Sequence, residues 1–231
     1  MWFTALQALH LVAAYDAKRV KSILWHAGGS SVSIAGIQLS LAAHEYSVGE
    51  GTRAEPPKVF ATARSDAKCE MCVKKLGCTA AVNPTSMPDW AAGIKKLNDG
   101  NGIDIIFDFV GGGAYFPLNL GTLALDGTMV SLGLLGGPTV PGPVDISPII
   151  MKRLRVEGST LRTRSLDYQI CLRDLFVEKV LPKLVDGRFQ HVVDHVFEWE
   201  KIGEAHQMLE NNATTGKVVC AIDSYGIASL P

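Results

Sequence analysis

Two periodicities alternate along most of the chain. Residues 22–26, 59–63, 80–82, 103–109, 128–132 and 154–158 are short apolar runs rich in β-branched and aromatic side chains, the pattern of strands buried on both faces. Between them lie longer stretches at helical spacing. In residues 34–43, Ile34, Ile37, Gln38 and Leu41 fall at i, i+3, i+4 and i+7. Residues 66–76 predict a second helix, closed by Gly77 as a C-cap. Residues 87–98 predict a third with Pro88 in its first turn, and 166–180 a long final one.

Strand–helix alternation with short links implies parallel strands and right-handed crossovers. The expected fold class is α/β, a doubly wound parallel sheet of Rossmann type, with ligands at the carboxyl ends of the strands. Two regions depart from this pattern. Residues 45–58 are polar and carry adjacent prolines where a link of about 2–6 residues is usual, so they read as an inserted, mobile surface loop. Near the C-terminus a β-α-β piece (192–197, 201–210, 217–222) is too short for its own core. The expected division is therefore a doubly wound domain over 1–182 and, over 183–231, the C-terminal end of a second domain.

Composition narrows the classes. The 231 residues are 47% hydrophobic and 19% charged, which excludes general disorder. A net charge of −1 offers no basic surface for sequence-independent nucleic-acid binding. No run of about 18 uninterrupted apolar residues predicts a membrane span, and the N-terminus lacks the pattern of a secretory signal. Five cysteines at 69, 72, 78, 171 and 220 form no disulfide framework, so reduced thiols and a cytoplasmic location are expected.

Candidate chemistry gathers at the ends of the strand-like runs. After the first comes His26-Ala27-Gly28-Gly29-Ser30-Ser31-Val32-Ser33, a small-residue turn opening a helix. Such a turn can aim backbone N–H groups at a pyrophosphate; it also reads as an ordinary turn with a serine N-cap. After the second come Arg64, Ser65 and Lys68, with no acidic residue at the strand end. That set suits a ribose 2′-phosphate, or else Ser65 is an N-cap and Lys68 lies in solvent. Phe109-Val110-Gly111-Gly112-Gly113 and Gly133-Leu134-Leu135-Gly136-Gly137 end two further strands with glycines that would let a ligand approach backbone.

Other chemistries find no constellation. Cys69-x-x-Cys72 lies within a helix with only Cys78 nearby, which does not make a zinc ligand set. His191 lies just before and His195 within the predicted strand 192–197, which would separate their side chains. There is no Gly-x-Ser-x-Gly elbow and no Tyr-x-x-x-Lys pair.

In order and content these motifs resemble the medium-chain dehydrogenase/reductase superfamily, and most of all its zinc-free, zeta-crystallin-like quinone oxidoreductase branch. The likeness is carried by Thr4-Ala5-Leu6-Gln7-Ala8-Leu9, Leu24-Trp25-His26-Ala27-Gly28, Asp108-Phe109-Val110-Gly111, Leu132-Gly133-Leu134-Leu135-Gly136-Gly137, Gly158-Ser159-Thr160-Leu161-Arg162 and Gly216-Lys217-Val218-Val219. It implies an oxidoreductase that reduces a small quinone or enone by hydride transfer from NADP(H). The implied cofactor-binding residues are Gly28, Ser30, Ser31, Val32, Arg64, Ser65, Lys68, Phe109, Val110, Gly111, Gly133, Leu134, Leu135 and Lys217. No residue maps onto an acid/base catalyst, and no metal ligand is implied. The resemblance further implies a homodimer joined through residues 154–160.

The departures are specific. Relatives carry a longer N-terminal part that forms most of the substrate-side domain, so poor turnover by this chain alone is expected. Their turn reads Ser-Gly-Val-Gly where this chain has Ser30-Ser31-Val32-Ser33, placing two Cβ atoms against the expected pyrophosphate. The alternative reading is a non-catalytic nucleotide-binding or interaction module.

Overall fold

The computed structural model describes residues 1–46 and 55–222. Six parallel strands form the central sheet in the order β3-β2-β1-β4-β5-β6. They are β1 (Ser22–Trp25), β2 (Lys58–Thr62), β3 (Ala80–Val82), β4 (Ile103–Asp108), β5 (Leu123–Ser131) and β6 (Arg155–Gly158). This is the doubly wound order in which the chain reverses direction between β1 and β4, and the reversal opens a crevice at their carboxyl ends. Most of the expected insertion at 45–58 falls outside the described residues.

Side-chain alternation on the strands builds two cores. Ile23, Trp25, Val59, Ala61, Ile105, Phe107 and Val130 face one side. Leu24, Phe60, Ile106 and Met129 face the other. The first core is covered by α1 (Trp2–Leu6), α2 (Ser31–Ala42), α3 (Asp66–Lys74) and α7 (Leu166–Lys179). The second is covered by α4 (Trp90–Leu97), α5 (Tyr115–Thr122) and α6 (Ser147–Met151). Trp25 stacks on Phe107 at 3.9 Å. Gly36 lets α2 lie against that indole, since a Cβ there would come within 2.3 Å of the Trp25 ring.

The sequence pattern located every strand of the central sheet, although β5 begins at Leu123, well ahead of the predicted 128–132, and it missed several helices. No element is predicted before residue 22, yet α1 runs there and widens into π-type turns over Gln7–Val12, with the Ala13 N–H reaching the Ala8 carbonyl. The helix predicted over 87–98 begins later, because Asp89 rather than a Pro88-containing turn caps it. Gly77 does cap α3, at φ +82°.

After the short α8 (Leu181–Val185), the C-terminal segment forms β7 (Val193–Glu198), α9 (Ile202–Glu210) and β8 (Lys217–Ala221), with β7 and β8 paired in parallel. Gln38 of α2 holds the approach to this unit, donating to the Gln190 carbonyl and accepting its N–H. The Gly216 N–H donates to the Gly29 carbonyl, joining the unit to the turn after β1. Among the described residues no helix is long and apolar enough to cross a membrane.

Candidate functional site

The turn after β1 and the first turn of α2 form the floor of the crevice. Helices α3, α4 and α7 each close their N-termini with a side chain: Ser65, Asp89 and Ser165 accept from backbone N–H groups. Helix α2 has Ser30 at the same position, in extended backbone, but its hydroxyl makes no capping bond. Ser30 and Gly216 form a parallel bridge that turns the Ser31 N–H toward the Gly216 carbonyl, and the N–H groups of Val32 and Ser33 have no acceptor among the described residues. A first turn left open in this way, at the positive end of a 12-residue helix, suits an anion.

The two serines of this turn differ. Ser33 is fully buried and donates to the His26 carbonyl at 2.7 Å, so its Cβ points into the protein, away from where a pyrophosphate would lie. Only Ser31, half-buried, stands at the open end. This corrects the expectation that two Cβ atoms stand against the pyrophosphate.

The glycines serve the fold more than a ligand. A Cβ on Gly28 would come within 2.7 Å of the Cys72 sulfur, so Gly28 lets the turn pack on α3. The N–H of Gly112 donates to the Gly137 carbonyl and that of Gly136 to the Val110 carbonyl. A Cβ on Gly112 would stand 2.4 Å from the Gly137 oxygen, and one on Gly133 3.1 Å from the Phe109 oxygen. The two glycine-rich strand ends admit each other's backbone, and the ligand approach expected of them is not what requires their composition.

At the end of β2, Ser65 is the N-cap of α3, accepting from the Lys68 N–H at 3.3 Å. Lys68 takes neither of its expected places. Its stem lies across Gly29 and its ammonium donates to the Asn212 carbonyl at 3.0 Å. Burial lowers its pKa, and the charge of Arg64 acts in the same direction. Arg64 is exposed, and its guanidinium has no carboxylate partner among the described residues. Across the crevice, the Val110 and Gly111 N–H groups both donate to Asp108 Oδ1, at 2.8 and 3.1 Å. Phe109 is buried, whereas Leu134 and Leu135 are exposed at 60% and 76%. Lys217 is exposed at the start of β8, beside the Gly216 contact.

Sequence reasoning missed the polar side chains beneath this edge. His26, at the end of β1, is completely buried, with Nδ1 2.8 Å from Thr62 Oγ1 and Nε2 2.8 Å from Asn119 Oδ1. Burial pulls its pKa down, opposed by the nearby Asp108 charge and the Asn119 bond. A histidine closing an apolar strand was the one available signal.

Residues 52–178, more than half of the chain, match the family described as zinc-binding dehydrogenase. The chain belongs to that family. Its relatives include quinone oxidoreductase-like protein 2 of Bos taurus, 28% identical over 166 residues covering 71% of this chain and 46% of that protein. A probable quinone oxidoreductase of Schizosaccharomyces pombe is 26% identical over 209 residues, 89% of this chain and 56% of that one. The chain thus spans about half the length of the curated relatives it matches. Among solved structures, an NAD-dependent alcohol dehydrogenase aligns over 96% of this chain and 56% of its own, with 28% identity and a TM-score of 0.70. CurA from Vibrio vulnificus, solved with NADPH, aligns over 96% of this chain and 62% of its own at 20% identity and a TM-score of 0.76, a likeness of fold.

The chain is a quinone oxidoreductase-like member of the medium-chain dehydrogenase/reductase superfamily. Its described residues do not fit the metal in the family's name. No three His, Cys, Asp or Glu side chains among them converge as ligands. Cys72 and Cys78 hydrogen-bond to each other, and the Cys69 thiol donates to the Ala63 carbonyl.

Proposed function

We propose that this chain binds NADPH across the carboxyl edge of the sheet and serves a quinone or enone reductase. The observation that carries the reading is the first turn of α2, which has no side-chain cap, at the reversal of strand order, with Arg64 at the end of β2 lacking a carboxylate partner among the described residues. The free N–H of Val32, with the half-buried Ser31 side chain beside it, would receive the pyrophosphate. Arg64 would take the ribose 2′-phosphate, because β2 ends without the acid that an NAD site places on the 2′-hydroxyl. Lys68, committed to Asn212, would hold the turn in shape rather than grip the phosphate. Val110, Gly111, Gly133, Leu134 and Leu135 would line the nicotinamide end, and Lys217 would flank the pyrophosphate.

NADPH, when bound, supplies the hydride; the protein positions the acceptor and shapes the surface around it. Support comes from the quinone oxidoreductase-like relatives and from the NADPH carried by fold neighbours such as CurA. Strand β6 lies at the edge of the sheet with Val156 41% exposed. A second copy pairing there would cover it, giving a homodimer. A cytoplasmic location fits the reduced thiols.

One observation favours binding without efficient turnover. Asp108 and His26 are sealed beneath the edge, and the exposed leucines at 134 and 135 leave the nicotinamide end open. The test is NADPH oxidation with a simple quinone, corrected for direct chemical reduction, beside an NADPH binding titration. Saturable binding with turnover well below ~10 per second, the median enzyme rate, is expected. Failure to bind either nucleotide would overturn the reading.

A further inference from the structure

A line of polar side chains runs through the otherwise apolar interior just beneath the crevice. Thr62 ends β2, His26 follows β1, Asp108 ends β4, and Tyr115 and Asn119 lie one turn apart on α5. Thr62, His26, Asp108 and Asn119 are all buried. The rings of Trp90 and Tyr115 close over the imidazole edge-on, at 4.8 and 5.0 Å. Four of these residues, Thr62, His26, Asn119 and Asp108, spread over more than ninety positions, are thus brought into one hydrogen-bonded chain.

Donor and acceptor chemistry fixes its direction. Asp108 Oδ1 accepts the N–H groups of Val110 and Gly111, and Oδ2 accepts the Asn119 Nδ2 at 3.1 Å. The carboxylate is therefore acceptor-only, and Asn119 must turn its oxygen toward His26. His26 then carries its proton on Nε2 and donates it to Asn119, so Nδ1 accepts from the Thr62 hydroxyl. Each member has one role, and an apolar residue at His26 or Asn119 leaves two partners unsatisfied.

This chain ends on two backbone N–H groups at the rim. A dinucleotide lying across the edge puts its adenosine half at the end of β2 and its nicotinamide half at the end of β4. We infer that His26 is a positioning residue: acting through Asn119 and Asp108, it sets the backbone of Val110 and Gly111 where the nicotinamide half would lie. The adenylate half, met by Arg64 and the first turn of α2, lies outside its reach. This inference rests on the dinucleotide reading above, and nucleotide fragments separate the two.

The experiment uses the full chain with two ligands, NADPH and 2′,5′-ADP, the latter lacking the nicotinamide half. His26→Phe keeps the ring volume and removes both hydrogen bonds. It should weaken NADPH by about ten- to a hundredfold while 2′,5′-ADP changes less than about twofold. His26→Gln keeps one donor and one acceptor and should restore NADPH affinity to within about threefold of wild type. Asp108→Asn, which puts a donor against donors, should reproduce the selective loss if His26→Phe folds poorly. In the nucleotide-free protein, amide resonances of Val110 and Gly111 should shift in His26→Phe, whereas those of Ser31 and Val32 stay in place. Equal loss of both ligands would make His26 merely structural and overturn the inference, as would unchanged NADPH binding or unmoved Val110 and Gly111 amides. If wild type binds neither nucleotide, the dinucleotide reading falls, and the amide shifts alone still decide whether His26 positions this backbone.

Discussion

Gly112 shows how a single residue's composition serves the site. Its Cβ would stand 2.4 Å from the Gly137 oxygen, backbone that no rotamer change can move away. Gly112→Ala should destabilise the protein by about 1–3 kcal/mol, the usual range for overpacking, measurable by urea unfolding. Gly113→Ala meets no neighbouring atom but sits at φ +67°, so its cost should come from backbone strain alone, of order 1–2 kcal/mol. Two histidines, His26 buried and His10 half-buried, set the acid limit of stability. Burial, helped by the Lys179 charge, brings His10 down to about 4, and burial lowers His26. Both are held neutral in the folded state, so the unfolded chain takes up protons first as pH falls below about 6.5. Stability should therefore drop as pH falls below ~6.5, with His10 adding up to about 1.4 kcal/mol per pH unit until about pH 4 and His26 acting in the same direction. His10→Gln should flatten that slope by one proton's share in urea titrations taken across this range.

Helix α2 is the element on which the proposed function turns. An aspartate at Ser30 would supply the cap that the native hydroxyl does not make. Ser30→Asp should raise stability by about 0.5–1 kcal/mol, because a carboxylate at the N-terminus meets free N–H groups and the helix dipole. The same charge should repel a pyrophosphate and weaken NADPH by at least about tenfold, or ~1.4 kcal/mol. A gain in stability without loss of NADPH affinity would separate α2 from the site. Legibility in the sequence follows the elements. The strands were readable because burial on both faces demands continuous β-branched and aromatic runs such as Ile103–Asp108. Helix α1 was not, because its residues are apolar on nearly every side and show no amphipathic period. Helix α5 was hidden by Pro117 and Gly121 within it. The turn after β1 and Arg64 were readable as local motifs. The Thr62–His26–Asn119–Asp108 chain was not, because its members meet only through the crossovers of the fold.

At the scale of the whole molecule, the doubly wound order and the family membership make the β1–β4 crevice the place where ligand chemistry belongs. If β6 pairs with a second copy, sedimentation at micromolar concentration should give a dimer mass, and Val156→Lys should shift it toward the monomer. A monomeric wild type would contradict that assembly. The central claim is that the open first turn of α2 and the unpaired Arg64 together make an NADPH site. Its most direct test is a paired titration of the chain with NADPH and NADH, repeated on Arg64→Ala. The account predicts saturable NADPH binding at least about tenfold tighter than NADH, with that preference abolished in Arg64→Ala, since one charge-assisted hydrogen bond contributes roughly 1.5–3 kcal/mol. No saturable binding, or equal affinities for the two nucleotides that Arg64→Ala leaves unchanged, would contradict it.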